Sequence, residues 1–388
     1  CSLNPLEDRL TYSCLMEIDR FGNILNYSFG ESVICSRKKM TYQDVNKVLE
    51  GKPVEGYEEF RKTLKDMQKL SHLLREKRER RGAISFELTK PKFTFDQEGN
   101  ISGLEFEPRK EAEKLIEDFM LSANECAASY MEEQDHLFQY RVHPKPDLYE
   151  IKKVMEKLRK MGYDYFLDLQ GGIQPGQIES LLNELKDDEN YETIAYMFLR
   201  AMTKAYYSTE NFNHFGLAST HYSHFTSPIR RYPDLLAHRE LKNVQKQKRV
   251  ESPMKLEKEL SKKLQHSSIQ EVQAENCERK VDRLIEVGYL EGFIGEDFLA
   301  KIMMIEPFGI QIQLENGLRG FIPRKDLKEC TYYPESLSYF DEKKNCFLRI
   351  GDTISCRLDD ISYNNLNASF SYQKKFGKNL KRKPVKNA

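Results

Sequence analysis

The feature that most limits how this chain folds is a change of rhythm near residue 288. Before it, apolar residues recur every three to four positions through several long stretches; after it they come in short strand-like runs separated by turns. A 3.6-residue period belongs to helices with one buried face, and a two-residue period to strands. One uniform layer cannot hold both halves. The expectation is an α+β chain, with a helix-rich domain over residues 1–287, a small β-barrel over 288–372 and a basic, disordered tail over 373–388.

Residues 10–36 place β-branched and aromatic residues on either side of Gly22-Asn23 and predict a hairpin. Leu64, Met67, Leu70 and Leu74 line one face of a helix over 58–81, whose residues 61–81 hold nine basic and three acidic side chains. That excess reads either as a solvated face or as an RNA-facing patch. The runs ISFEL and ISGLEFE, with a turn at Asp96, Gly99 and Asn100, read as strands. Ala112, Leu115, Ile116, Phe119, Met120, Ala123, Ala127 and Tyr130 define a helix over 111–131 with one buried face.

Further helices are predicted over 147–161 and 190–209, parted by the loop GGIQPG at 171–176. Another runs from Pro233 to about Lys246, where proline's missing N–H costs nothing in a first turn. A long charged helix follows from about Ser252 to Glu286, with Leu256, Leu260 and Leu264 in register. Beyond a boundary near Gly288, GYLEGFIG, LAKIMMIEPFGIQIQLENGLRGFIPRKDL, DTISCRLDDI and NASFSYQKK read as strands turning at Asn316-Gly317 and Asn364-Asn365.

Composition narrows function less. Lys+Arg and Asp+Glu both total 61, so only local patches can attract an anionic partner. One such patch is the stretch 361–388, with seven Lys/Arg and no acid. No stretch approaches the roughly eighteen apolar residues of a membrane span, and the first residues lack the pattern of a secretory signal. The expectation is a cytoplasmic monomer without a membrane partner. The eight cysteines have no metal-ligand spacing and read as reduced, packed thiols.

The densest stretch is Asn213–Leu241, NHFGLASTHYSHFTSPIRRYPDLLAHREL. Thr226, Ser227 and the N–H groups of the helix that follows, with the forked donors of Arg230 and Arg231, would make a phosphate cradle. An ordinary helix cap with surface arginines explains the same composition.

The wording of this stretch, HFGLAxxxYxHFTSPIRRYPDLxxHR, closely resembles the signature of the RNB family of ribonucleases, nearest to its bacterial ribonuclease R branch. CSLNPxxDRL at 1–10, RGAISFE at 81–87, KLIEDFMLSAN at 114–124 and YRVHPKP at 140–146 extend the resemblance over nearly all of residues 1–288. It implies a 3′→5′ exoribonuclease that degrades single-stranded RNA processively to nucleoside 5′-monophosphates.

By the same resemblance, Arg230 contacts the phosphate beside the scissile bond and stabilises transition-state charge. Phe86 stacks on the last bases of the 3′ end. Glu117 meets the terminal riboses, and Tyr42 lines the RNA channel. Read without it, Phe86 is core and Glu117 is the polar face of a helix. His143, His214, His221 and His224 are expected to pack loops rather than bind metal. The barrel resembles the S1 branch of the OB-fold, with Phe308 and Phe321 presented to RNA. Gln311 and Pro323 depart from that pattern, where many S1 domains carry an aromatic and a histidine.

The family's two-Mg²⁺ chemistry uses a compact run of aspartates upstream of the CSLNP element, and this chain begins there, at Cys1. No ten-residue window here holds four aspartates, and Asp187-Asp188 and Asp359-Asp360 lie in other contexts. The expectation is therefore that the metal ligands lie upstream of Cys1 and that these residues alone bind RNA without cutting it. A catalytically inactive RNA-binding module is the alternative. An S1 protein of translation is a third reading, and it leaves Ser227 to Tyr232 without a role. Helicase or ribosome partners are not legible.

Overall fold

The computed structural model describes residues 2–87, 91–99, 101–105, 109–247 and 252–376. The hairpin is present: β1 (Asp8–Ile18) and β2 (Ile24–Cys35) pair antiparallel. Its turn closes on Asp19, whose carboxylate accepts from the backbone N–H groups of Phe21 and Asn23 at 2.8 Å each, as short polar side chains do in turns. Helix α1 (Tyr42–Leu49) and α2 (Arg61–Arg80) follow, then a small hairpin of β3 (Lys92–Phe95) and β4 (Ile101–Glu105), and the central helix α3 (Glu111–Glu133).

Next come β5 (Tyr140–Val142), α4 (Leu148–Met161), α5 (Pro175–Glu184), α6 (Tyr191–Ala201) and β6 (Tyr206–Ser208), with β6 returning to pair with β5. Helix α7 (Tyr232–Gln245) leads to α8 (Pro253–Glu291), a single rod of 39 residues. The strands of the last part are β7 (Asp297–Glu306), β8 (Gly309–Leu314), β9 (Arg319–Pro323), β10 (Cys330–Tyr333), β11 (Ser338–Asp341), β12 (Cys346–Arg349), β13 (Thr353–Ser362) and β14 (Asn367–Phe376). Five of them close into a barrel in the order β13-β14-β9-β8-β7, and β10-β11-β12 form a separate three-stranded sheet inserted between β9 and β13.

Several expectations need correction. The helix placed over 190–209 stops at Ala201, and Tyr206–Ser208 is a strand. The loop GGIQPG opens a helix that the pattern reading left out: Pro175 stands in the first turn of α5, and Gln174 and Gln177 cap it reciprocally. GYLEGFIG is not a strand, because α8 runs through Gly288 to Glu291 and the change of rhythm falls inside a helix. Residues 84–87 of ISFEL are extended but join no sheet, and Leu88 lies outside the described residues. The barrel's last strand enters the stretch read as a tail, as far as Phe376, and 377–388 lie outside the described residues.

Smaller cores join α1 and α2 to the head of α3 and α8 to β6 and α7, and two large ones hold most of these elements. One lies under the β1–β2 hairpin, where Phe29 meets Ala127, Met131, Phe138, Phe225 and Leu241 from α3, α7 and the segments between. The larger joins α4, α5 and α6 to the barrel interior without a break, through residues such as Leu158, Ile178, Phe198, Ile302, Ile354 and Phe370. The barrel is therefore packed against α4–α6 as well as attached to α8. Gly351, at φ +89°, comes so close to Asn190 at the head of α6 that a Cβ would fall 2.2 Å from its side-chain oxygen.

Helix α3 is also held by charge. Glu111, Asp118 and Glu125 recur every seven residues and face α2, where Arg75 reaches Glu111 at 3.3 Å and Asp118 at 3.1 Å, Arg78 reaches Asp118 at 2.8 Å, and Arg81 reaches Glu125 at 2.5 Å. Ser71 donates to the same Asp118 carboxylate at 2.6 Å. Three arginines of the basic helix and its C-cap thus pair with α3, Arg75 and Arg78 part-buried and Arg81 exposed, whereas Arg61, Lys62 and Lys65 stand in solvent. Asp118 is 1% exposed, so removing it strands Arg78 and leaves Arg75 with Glu111 as its only carboxylate. Asp118→Ala is expected to lower the unfolding free energy by about 3 kcal/mol, and Ser71→Ala by about 1 kcal/mol, both read from urea titrations.

Candidate nucleic-acid interface

Residues 209–231 form no helix beyond a single 3₁₀ turn at Phe215–Leu217. Much of the segment is nonetheless buried, so its backbone groups must find partners one by one. Histidines supply several of them. His143 donates from Nε2 to the Thr203 carbonyl at 2.9 Å, leaving Nδ1 to accept from the Gly216 N–H at 2.9 Å. His214 Nδ1 accepts from Leu217 N–H at 3.2 Å, and His224 Nδ1 accepts from the Tyr207 hydroxyl at 2.8 Å. His238 donates to the Phe225 carbonyl at 2.8 Å and stacks on that ring at 4.5 Å.

Burial, with positive neighbours second, drives His214 down to about 3 and His224 to about 2. Both rings are neutral scaffolding near neutral pH. His221 stands apart, more exposed and 3.1 Å from Glu132.

The HFTSP turn is fixed from α3. The buried Asn124 side-chain oxygen accepts from two successive N–H groups, Phe225 at 2.9 Å and Thr226 at 3.2 Å, while its amide donates to the Tyr222 hydroxyl at 3.2 Å. Seven residues earlier on α3, two turns and roughly 10 Å along the axis, stands Glu117. It is half-exposed and pairs with the more exposed Arg109 at 3.1 Å, a contact that costs little to open.

Asp234, in the first turn of α7 and fully buried, clamps the other side of the turn: it accepts from Ser227 N–H and from the Arg231 guanidinium, each at 2.7 Å. A carboxylate there also suits the positive helix end. The two arginines thus divide: Arg231 is turned inward, whereas Arg230 is exposed and has no ion-pair or hydrogen-bond partner for its guanidinium among the described residues. Of the cradle expected there, the N–H groups of Thr226 and Ser227 and the Arg231 guanidinium are occupied by the protein, and of the two arginines Arg230 alone is open to solvent.

Phe86 reaches the same neighbourhood on an extended strap. Gly82, at φ +89°, passes so close to Gly176 that a Cβ would lie 2.8 Å from its Cα. Ile84 N–H then donates to the Gly216 carbonyl at 2.8 Å, and Ser85 N–H to the buried Glu179 carboxylate of α5 at 2.8 Å. These contacts replace a sheet ladder, which is why a strand-like run pairs with no strand. Arg81, just before the strap, donates to the Leu217 carbonyl at 3.0 Å. Phe86 is half-buried, packed on the core shared by α4–α6 and the barrel.

The remaining expected contacts are more scattered. Tyr42 opens α1 and is 51% exposed; α1 sits at the head of α3, where Asn46 accepts from Ala112 N–H at 2.9 Å in place of a cap from α3 itself. Phe308 and Phe321 lie side by side on the barrel, 6.0 Å between ring centres, with Phe308 58% exposed. Gln311 pairs with Phe321 across β8 and β9, and Pro323 pairs with Gly309. No described contact joins this pair to Arg230.

Residues 1–247 match the RNB domain, and residues 291–373 match the S1 RNA binding domain. The chain belongs to the RNB family. Among curated relatives, ribonuclease R 1 of Lactococcus lactis is 33% identical over 366 residues, 92% of this chain and 44% of that protein. Ribonuclease R of Thermotoga maritima is 36% identical over 367 residues, 92% of this chain and 51% of that protein. The chain thus spans about half the length of these relatives. The apo form of Mycoplasma genitalium RNase R superposes with a TM-score of 0.89 at 29% identity, over 96% of this chain and 59% of that one. Yeast Ssd1, a pseudonuclease, shares the fold at a TM-score of 0.65 and 17% identity, over 92% of this chain and 43% of that one.

Within this RNB fold, α3 carries Glu117 and, through Asn124, the turn that bears Arg230, while Gly216 anchors the strap that bears Phe86. Sequence reading singled out those three but passed over Asn124 and Asp234. Asp234 was within reach, as an acid just inside a Pro-marked helix start. Asn124 was not, because its partners lie a hundred residues away. The described residues contain no helix long and apolar enough to cross a membrane.

The neutral histidines give the RNB part a pH signature. An unfolded chain takes up protons below about 6.5 that the folded chain refuses until about 3, so stability is whole above that window and falls as pH drops through it. The slope is up to about 1.4 kcal/mol per pH unit for each ring. His224→Gln keeps a polar side chain beside Tyr207 and removes one titration. Urea titrations between about pH 6 and pH 4 are expected to show a shallower slope for this variant than for the parent.

Proposed function

We propose that this chain is the RNA-gripping part of a 3′→5′ exoribonuclease that degrades single-stranded RNA processively to nucleoside 5′-monophosphates. The observation that carries the reading is Arg230, an open forked cation on a turn clamped from both sides by Asn124 and Asp234. A guanidinium held in place but unpaired suits the charge of a phosphate in the transition state. Phe86 offers a ring for base stacking, and Glu117 a carboxylate able to accept from ribose hydroxyls, a contact DNA cannot make. Tyr42, which opens α1 at the head of α3, would meet the RNA as it enters, and Phe308 and Phe321 on the barrel would hold its upstream part. A support from outside the chain is that Mycoplasma genitalium RNase R has been solved with ribose-methylated single-stranded RNA.

Among the described residues no group of three or more His, Cys, Asp or Glu side chains converges. Asp188 is tied to Tyr163 at 2.6 Å, and Asp359 to Ser371 at 3.0 Å. In our reading the divalent ions are held by carboxylates in the part of the relatives' length that this chain does not span. The 388 residues alone then bind RNA without cleaving it.

In a longer protein that carries those carboxylates, Arg230→Ala is expected to slow release of mononucleotides from a single-stranded oligonucleotide on the order of a hundredfold. The 388-residue chain should bind the same RNA with salt-sensitive affinity and release nothing when Mg²⁺ is added. Mononucleotide release by the short chain, abolished by Arg230→Ala, would overturn the division of labour proposed here.

A further inference from the structure

The inserted sheet β10-β11-β12 has a face that nothing above employs. Cross-strand register sets Thr331, Phe340 and Phe347 in one row and Tyr333, Ser338 and Arg349 in the next. Alternation along a strand puts both rows on one face. The other face, with Cys330, Tyr339, Asp341 and Leu348, is buried. From it the Tyr339 hydroxyl donates to the carbonyls of Glu306 at 2.8 Å and Pro307 at 3.1 Å, directly before Phe308. The insert is thus a continuation of the turn that presents Phe308.

Its outward face is aromatic. Phe347 meets Phe340 at 4.8 Å and Tyr333 at 5.8 Å, and the Arg349 guanidinium lies 5.3 Å from the Phe347 ring. Among the described residues these are the only ring and cation partners the three rings have. Tyr333 is 44% exposed and Arg349 is also exposed, Phe340 and Phe347 are half-buried, and Ser338, between Tyr333 and Arg349 in the row, is buried. Solvent-facing sheet surfaces are ordinarily polar, so rings gathered there mark a surface that meets something.

Charge says what. Lys160 of α4 donates to the Pro334 carbonyl at 3.3 Å, next to Tyr333. Lys157 and Lys153 lie on the same side of α4, three and seven residues earlier. Lys153 pairs with Glu150 at 2.7 Å and lies over the Tyr149 ring at 4.2 Å, and Lys160 pairs with Glu156 at 3.0 Å, so the ion pairs of both are with glutamates of their own helix. A cationic stripe therefore leads to the aromatic face, and Arg349 continues it. At the far end of the row Glu342 accepts from Thr331 at 2.7 Å and marks the edge a phosphate chain would avoid.

We propose that this face is a second platform for single-stranded RNA, distinct from Phe308 and Phe321, on which bases stack against Tyr333 and Phe347 while phosphates follow Arg349 and the α4 lysines. Stacking on open rings is indifferent to base identity. The proposal rests on the reading that the chain binds single-stranded RNA, and it extends the grip beyond the barrel strands.

The test uses the 388-residue chain and a fluorescein-labelled oligouridylate of about twenty nucleotides, long enough to span several stacking sites. Tyr333→Ala and Arg349→Ala alter exposed side chains and should leave thermal unfolding in place. Each is expected to weaken binding about fivefold or more, the lower end of what one stacked base contributes, with losses that multiply with that of Phe308→Ala. Because Phe347→Ala would disturb the insert itself, that ring is probed in the parent protein by photocrosslinking to 4-thiouridine RNA, with adducts expected on Tyr333 or Phe347. Unchanged affinity in both variants together with crosslinks confined to other residues overturns the platform and leaves the proposed function standing. A parent chain that binds no RNA overturns both. If Tyr333→Ala instead changes the mass of the chain in sedimentation while RNA affinity holds, the face joins copies of this chain and the proposal fails.

Discussion

The carboxylate of Asp118 sits in the interior of the RNB part with one hydroxyl and two guanidinium groups around it. A charge at that depth is tolerable only with its partners in place, since desolvation costs several kcal/mol and only close, well-aligned partners return it. The consequence is geometric. Arg75 and Arg78 are one turn apart on α2, and both must reach one carboxylate on α3, so the two helices have a single allowed offset. That offset delivers Arg81 to Glu125 and to the Leu217 carbonyl, and fixes where Gly82 begins the strap that carries Phe86. On the other side of α3 the same rotation faces Asn124 toward the turn that carries Arg230. Side chains far apart in sequence are thereby placed by one helix whose rotation is set electrostatically.

How much of this was legible depended on whether the cause was local. The β1–β2 hairpin, α2, α3, α4 and α7 are amphipathic or turn-marked segments whose own residues specify them, and the pattern of the sequence found each. Where a segment is specified by distant partners, the pattern misled. Residues 202–209 continue a helical spacing, yet Tyr206–Ser208 is a strand because β5 and Ser268 of α8 wait for it. The strap 84–87 has strand-like residues but bonds to Gly216 and Glu179. The histidines read from the sequence as loop packing, but which carbonyls and amides they satisfy is set by distant partners and needed coordinates. Arg230 was found through its motif; that it differs from Arg231 in being unpaired is a matter of Asp234 alone, and needed coordinates.

The S1 barrel is not a loosely tethered module in this arrangement. Its hydrophobic interior is continuous with α4–α6, the same core on which Phe86 packs, and Gly351 lets it press against the head of α6. The barrel strands that carry Phe308 and Phe321 and the strap that carries Phe86 therefore share one core, and neither can shift without disturbing the other.

Helix α8 adds a second, independent attachment. At one end Leu260 and Leu264 are buried near Tyr207 and Leu236; at the other, Arg283 donates to the carbonyls of Arg319 at 2.9 Å and Leu366 at 2.8 Å. Between them Gln273–Asp282 is exposed along its whole length. An unsupported stretch of surface helix would ordinarily be the place where homologous chains gain or lose a residue freely. Here one inserted residue would turn everything beyond it by about 100° and advance it about 1.5 Å, while α6 kept the barrel where it was. The solvent-exposed middle of α8 should thus tolerate almost any change of side chain and almost no change of length, so that an alignment of relatives would show it as variable in letters and invariant in number.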